Sequence, residues 1–339
     1  MSAAEPTRVV VATDKFRSTA TAAELGSTIR DALSPDFHCD VLAMSDGGEG
    51  FRLAFSGETI PLAVRGPWGE VHEAPMTRLR VGEQAIGVLE VAEIIGRSLR
   101  PTPTGDEALA ASSAGVGDAL VAAAASGVDR VVIGCGGSAS SDGGVGCYDV
   151  VRASTFDVAL TAATDITATF LGALRYAEQK GVTPSDVPLV EGRLRELAAR
   201  YARECGRDVA MIERTGAAGG LGGALCALGA ELVSGFDEVA RANGLAGRIA
   251  SAQLVITGEG RFDTGSLEGK VVAEVCALTR ETQRVLVVCG ATDRDAVRRL
   301  QLRHPWVRVE DLVSRFGERR AMESTLACVA QVVADFASG

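Results

Sequence analysis

Apolar positions along the chain fall into short runs separated by polar, glycine-rich breaks. Residues 9–12 are a β-branched run that reads as a first strand, followed by the polar loop 13–19. Thr21 and Glu24 stand three positions apart, the pairing that starts a helix, and Pro35 ends that helix beyond Leu33. Residues 38–44 read as a second strand that delivers Ser45-Asp46-Gly47-Gly48-Glu49-Gly50 at its end. From 59 to 94 the pattern alternates, with strand-like runs at 61–64, 74–79 and 86–89 and turns at 66–69 and 81–83. These suggest antiparallel strands in a region distinct from the first two strand–helix units. An alanine-rich helix is expected over 106–125, interrupted by Gly115 and Gly117, and the run 131–133 reads as a buried strand. Residues 158–160 are a short strand-like run. The segment 183–205 is an amphipathic helix with Val190, Leu194, Leu197 and Tyr201 on one face. A small-residue helix is expected over 224–232. The last third returns to regular α/β rhythm: strands at 254–257 and 285–288, a loop at 258–263, and helices at 271–278 and 322–336.

Composition narrows the function. The chain has 339 residues, which suggests about two domains. Aromatic residues are only 4%, so the cores rely on Val, Leu, Ile and Ala. Net charge is −10 and no basic stripe interleaves with aromatics, so nucleic acid is not an expected partner. Anionic ligands would need local Lys or Arg, backbone N–H groups and a divalent cation. The eight cysteines form no Cys-x-x-Cys pair and suit buried, reduced thiols. No signal-like order of residues opens the sequence, and no apolar run is expected to reach the eighteen or so residues of a membrane span. A cytoplasmic protein with no membrane partner is expected; nothing fixes its oligomeric state.

The densest chemistry lies after the run 131–133. Six glycines fall between Gly134 and Gly146, together with Cys135, Ser138, Ser140, Ser141 and Asp142. A turn needs fewer glycines. This density suits a backbone that approaches an anion, with Asp142 placed to hold a metal ion or orient a hydroxyl. Gly134-x-Gly136-x-x-Ala139 with Asp157 matches a dinucleotide fingerprint, but Gly143, Gly144 and Gly146 spoil the helix start it requires. Residues 265–270 fall one residue short of a P-loop, although Lys270 could still reach a phosphate. His38, His72 and His304 have no zinc-ligand spacing, and no Gly-x-Ser-x-Gly elbow occurs. Asp14, Asp46, Asp142, Asp165, Glu259 and Asp263 all follow strand-like runs. Carboxylates, a few cations and backbone donors at such edges suit phosphoryl transfer.

Five ordered motifs resemble those of the bacterial glycerate kinases, glycerate 2-kinase type. Ala12-Thr13-Asp14-Lys15-Phe16-Arg17-Ser18-Thr19 is similar to their Ala-Pro-Asp-Ser/Lys-Phe-Lys-Gly-Ser, and residues 45–50 to their Ala-Asp-Gly-Gly-Glu-Gly. Residues 136–144 resemble Gly-Gly-Ser-Ala-Thr-Asn-Asp-Gly-Gly, and 216–222 match Gly-Ala-Ala-Gly-Gly-Leu-Gly. Residues 256–263 with Gly269-Lys270 match Ile-Thr-Gly-Glu-Gly-Arg-x-Asp and its downstream Gly-Lys. The resemblance covers nearly the whole chain. It implies an α/β fold of two domains, a Rossmann- or flavodoxin-like parallel sheet (1–56 and 246–339) with a second α/β domain of mixed sheet inserted into it (57–245). It implies an ATP- and Mg²⁺-dependent kinase of D-glycerate, usually forming 2-phosphoglycerate, with the site in the cleft between the domains.

In that reading Asp14, Asp46 or Asp165 accepts the hydroxyl proton. Lys15, Arg17, Gly47, Gly48 and Ser138 bind the sugar acid. Gly136, Gly137, Ser140, Gly219, Gly220 and Lys270 face the nucleotide, and Asp142, Glu259 and Asp263 hold magnesium. The chain departs from the pattern at Arg17, at Ser18, over 165–170, where Asp-Val-x-Asn-Pro-Leu is expected, and over 176–181, where Phe-x-Pro-Gln-Lys-Gly is expected. The stretch between Asp142 and Asp165 also looks shorter than the family's. A kinase for another small hydroxy acid, or a relative that binds glycerate or nucleotide without turnover, are the alternatives. An NAD-dependent oxidoreductase rests on the fingerprint alone.

Overall fold

The computed structural model describes residues 7–16, 18–33 and 36–338. The described strands are β1 (Thr7–Thr13), β2 (Phe37–Ala43), β3 (Glu58–Arg65), β4 (Val71–Val81), β5 (Gln84–Glu90), β6 (Arg130–Gly134), β7 (Ala159–Thr164), β8 (Glu231–Ser234), β9 (Leu254–Phe262), β10 (Arg284–Thr292) and β11 (Val307–Asp311). They divide between two compact units, Met1–Asp46 with Phe236–Gly339, and Gly47–Gly235.

The first unit holds a five-stranded sheet, ordered β11-β10-β9-β1-β2, with every pairing parallel. Parallel strands need crossover helices, which cover the sheet and make its central strands apolar throughout. Val9, Val11, Leu254, Ile256, Leu286 and Val288 are buried accordingly, against Leu25 and Ile29 of one helix and Cys328, Val329, Val332 and Val333 of another. The first of these helices, Ala22–Ala32, starts as the sequence indicates: the Thr21 hydroxyl accepts from the Glu24 amide, and Glu24 answers the Thr21 amide. Chain order reverses between β1 and β9. Sheets of this topology bind ligands at that crevice, beyond the carboxyl ends of the strands.

β9 runs five residues past the expected 254–257, through what reads as a glycine loop. The reason lies in the neighbouring strand. A Cβ on Gly258 would sit 2.2 Å from the Val288 carbonyl oxygen, and one on Gly290 would sit 2.4 Å from that of Gly260. These glycines let two strands approach closely.

The second unit carries a mixed sheet in sequential order, β3 to β8. β3, β4 and β5 form an antiparallel meander, and β5 to β8 pair in parallel. The small-residue helix spans Ala217–Ala227; of the residues expected to extend it, Leu228 and Gly229 turn the chain and Glu231 and Leu232 open β8 instead. Residues 105–125 need a second correction. They are apolar and long enough to pass for a membrane span, at a mean hydropathy of 1.5. They fold as two helices, Gly105–Ala110 and Ala114–Ala125, and Val116, Ala119, Leu120 and Ala123 enter the core of this unit. The apolarity is that of a core helix.

Candidate active site

In the first unit, β1, β2 and β9 bring carboxylates together. The Asp14 amide donates to the Gly258 carbonyl at 3.0 Å, so β1 and β9 stay paired up to Asp14 and Glu259. β2 stays in register through the Met44 amide, which donates to Thr13 at 3.0 Å, and presents Asp46 two residues on. Burial raises the Asp14 carboxyl to about 6, the charge of Asp46 pushes the same way, and Lys15 and Lys270 oppose. The Lys15 amide also donates to Asp14 Oδ1 at 2.7 Å. Glu259 is pushed further, to about 8, first by burial and then by Asp14 and Asp46, against Ser266 and Lys270. Its Oε1 is buried with no hydrogen-bond partner among the described residues, as are the hydroxyls of Thr13 and Thr257 on the same two strands.

Crowded, desolvated carboxylates with an idle oxygen fit a divalent cation, which would relieve the repulsion. Among the described residues no three acids, histidines or cysteines are spaced to enclose a metal ion.

Asp263 is otherwise employed: its Oδ1 accepts from the Gly265 and Ser266 amides at 3.0 and 3.3 Å and caps the turn Thr264–Leu267. Lys270 stands at the start of the helix Val271–Ala277, close enough for its charge to reach Asp14 and Glu259. Arg17 lies outside the described residues.

In the second unit, the glycine-rich stretch folds around Asp142. Asp142 Oδ2 accepts from the Ser113 amide and hydroxyl, each at 2.8 Å, and from the Gly146 amide at 3.3 Å; Oδ1 accepts from the Gly144 amide at 3.0 Å. The expectation that Asp142 holds a metal ion therefore meets a carboxylate already taken by four donors. Its evident work is to fold the loop and start the helix Val145–Arg152. Asp142→Ala is expected to cost about 2–3 kcal/mol in urea unfolding, because buried donors lose their acceptor; an unchanged midpoint would refute this role.

Several glycines in this unit are explained by close packing. A Cβ on Gly136 would lie 2.4 Å from Gly48 Cα, and one on Gly47 would lie 3.1 Å from Thr164 Cα, the residue before Asp165. Gly219, at φ +73°, would meet the Ser140 carbonyl oxygen at 2.2 Å and Lys180 Nζ at 2.8 Å, and Gly220 would meet Gly143 Cα at 2.8 Å. Gly137 also takes positive φ, and the next residue, Ser138, bridges to Gly96. The loop after Asp46 is fixed by Glu90, whose two oxygens accept from the Gly50 and Arg52 amides at 2.9 and 3.1 Å. Glu90, Ser113 and Lys180 are the residues that the sequence reading missed as parts of these loops. Lys180 alone carried a signal, standing in the Gln179-Lys180-Gly181 remnant of a family motif.

Comparison with known proteins agrees with this architecture. The family model described as "Glycerate kinase family" matches residues 9–158 and 148–337. An uncharacterized protein of Mycobacterium bovis is 37% identical, over 86% of this chain and 81% of its own. The glycerate 2-kinase of Escherichia coli is 30% identical, over 85% and 86%. A crystal structure described as a "putative glycerate kinase 2" from Salmonella typhimurium superposes with a TM-score of 0.77 at 26% identity, over 98% of this chain and 97% of that one. Family model, sequence relatives and solved fold coincide over nearly the whole length: the chain belongs to the glycerate kinase family.

Proposed function

We propose that the protein transfers the γ-phosphoryl group of ATP to D-glycerate, giving 2-phosphoglycerate, in the cytoplasm. The observation that carries this reading is the gathering of Asp14, Asp46 and Glu259 at the switch point of the parallel sheet, with Lys270 within electrostatic reach. Asp14 accepts the proton as the glycerate hydroxyl oxygen bonds to phosphorus and the bond to ADP breaks; Asp165, at the end of β7, is the alternative acceptor. Asp46 and Glu259 would hold Mg²⁺, which supplies positive charge where negative charge builds on the phosphoryl oxygens. Lys15 and Arg17 take the glycerate carboxylate, with Gly47, Gly48 and Ser138 assisting. Lys270, Gly136, Gly137, Ser140, Gly219 and Gly220 serve the nucleotide phosphates.

The test is ADP release from D-glycerate, ATP and Mg²⁺, followed by phosphorus NMR of the product. 2-Phosphoglycerate is the expected product, and 3-phosphoglycerate would overturn the regiochemistry. No turnover by folded protein would overturn the reading, and faster turnover of another hydroxy acid in the same panel would reassign the substrate.

A further inference from the structure

Two cations in the second unit flank the glycine-rich loop and form no ion pair among the described residues. Lys180 is only 7% exposed. Its Nζ donates to Ser138 Oγ at 2.8 Å and to the Ser140 carbonyl at 2.7 Å. An ammonium carries three donors, so one N–H is left over. Asp142 attracts it from a distance, but four other donors already occupy that carboxylate.

Arg97 is fastened to that loop by its backbone and to the turn that carries Lys180 by its side chain. Its amide donates to the Gly137 carbonyl at 2.9 Å, and its exposed guanidinium donates through Nη1 to Gln179 O at 3.0 Å, the residue before Lys180. Burial pushes the Lys180 ammonium down to about 7, and the charge of Arg97 pushes the same way. Two positive charges are thus held close enough to repel. In the same loop the Ser140 and Ser141 hydroxyls are buried without partners among the described residues, in side chains of residues 0% and 5% exposed. A loop with two cations, a spare ammonium proton and two idle hydroxyls is complete once it holds an oxyanion.

We propose that Arg97 and Lys180 grip a phosphate of the nucleotide at the loop 136–142. This rests on the reading that the loop serves the nucleotide phosphates. The experiment is calorimetric titration of the full chain with Mg–ADP, paired with steady-state kinetics. Arg97→Ala changes an exposed side chain, and is expected to weaken ADP binding and raise KM for ATP by about tenfold or more, the loss of one charge-assisted hydrogen bond. KM for glycerate is expected to stay where it is, and Arg97→Lys to recover part of the affinity. Lys180→Met is expected to shift the same constants, with circular dichroism checking its fold.

ADP affinity unchanged by Arg97→Ala overturns the proposal. A rise confined to KM for glycerate also overturns it, placing the sugar-acid carboxylate at the grip. If the native chain turns over no glycerate yet loses ADP on Arg97→Ala, the grip stands and the proposed reaction falls.

Discussion

Asp14→Asn is expected to lower kcat by about 10²- to 10⁴-fold, the usual worth of a proton acceptor at the reacting hydroxyl. The substitution keeps the shape of the side chain and the β1–β9 pairing, which runs through the backbone. The native profile carries the more specific forecast. Asp14 works only when ionised, and burial with the neighbouring Asp46 raises its carboxyl to about 6. The kcat/KM value for ATP should therefore climb with pH through about 6 and level off above. Asp46→Asn removes the like charge and should move that limb to lower pH. In kcat, which reports the loaded enzyme, the limb should also lie lower, because a bound cation offsets Asp46. A kcat for Asp14→Asn within a few-fold of native would transfer the role to Asp165, whose Asn variant is the companion measurement.

How far the sequence discloses this site depends on the range of the interactions. The Thr21–Glu24 cap is legible because both partners sit in one turn. Asp14, Asp46 and Glu259 are legible because parallel strands put their carboxyl ends on one edge, so an acid after an apolar run is placed by topology. What pairs with what is not legible. Asp142 takes its main partner from Ser113, and Lys180 reaches Ser138 from 42 residues away, with no local pattern marking either.

Glycine density has the same ambiguity. It says that a backbone comes close to something, without saying what. At Gly136 and Gly219 the close neighbour is another stretch of this chain, and at Gly258 it is the next strand. β11 escaped because its sequence, Val307-Arg308-Val309-Glu310-Asp311, mixes charges into an edge strand. Such charges guard an edge against further pairing and also blur its apolar signature.

Glu259→Gln is expected to stabilise the ligand-free protein at alkaline pH, which separates electrostatic strain at the site from catalysis. The folded chain holds the Glu259 proton up to about 8, whereas the ordinary carboxyl releases it near 4.5. Native stability therefore falls as pH rises from the lower value to the higher, because over that range the unfolded chain sheds a proton that the folded chain retains. The accumulated loss is on the order of 5 kcal/mol. Gln has nearly the same shape and no charge, so the native and variant stabilities should meet near pH 4.5 and diverge to that extent by about pH 8.

Of the two tryptophans, Trp306 lies in the same unit as Glu259 and Trp68 in the other. Urea unfolding followed by Trp306 fluorescence, with Trp68→Phe as the common background, makes the comparison. Curves that run parallel across this pH range would show that Glu259 ionises freely. Mg–ATP supplies the second half of the test: if the strain is relieved by a bound cation, the ligand should raise the native midpoint at pH 8 well beyond that of Glu259→Gln. Equal gains in both would take Glu259 out of the metal site and leave its buried Oε1 without a purpose in the reaction.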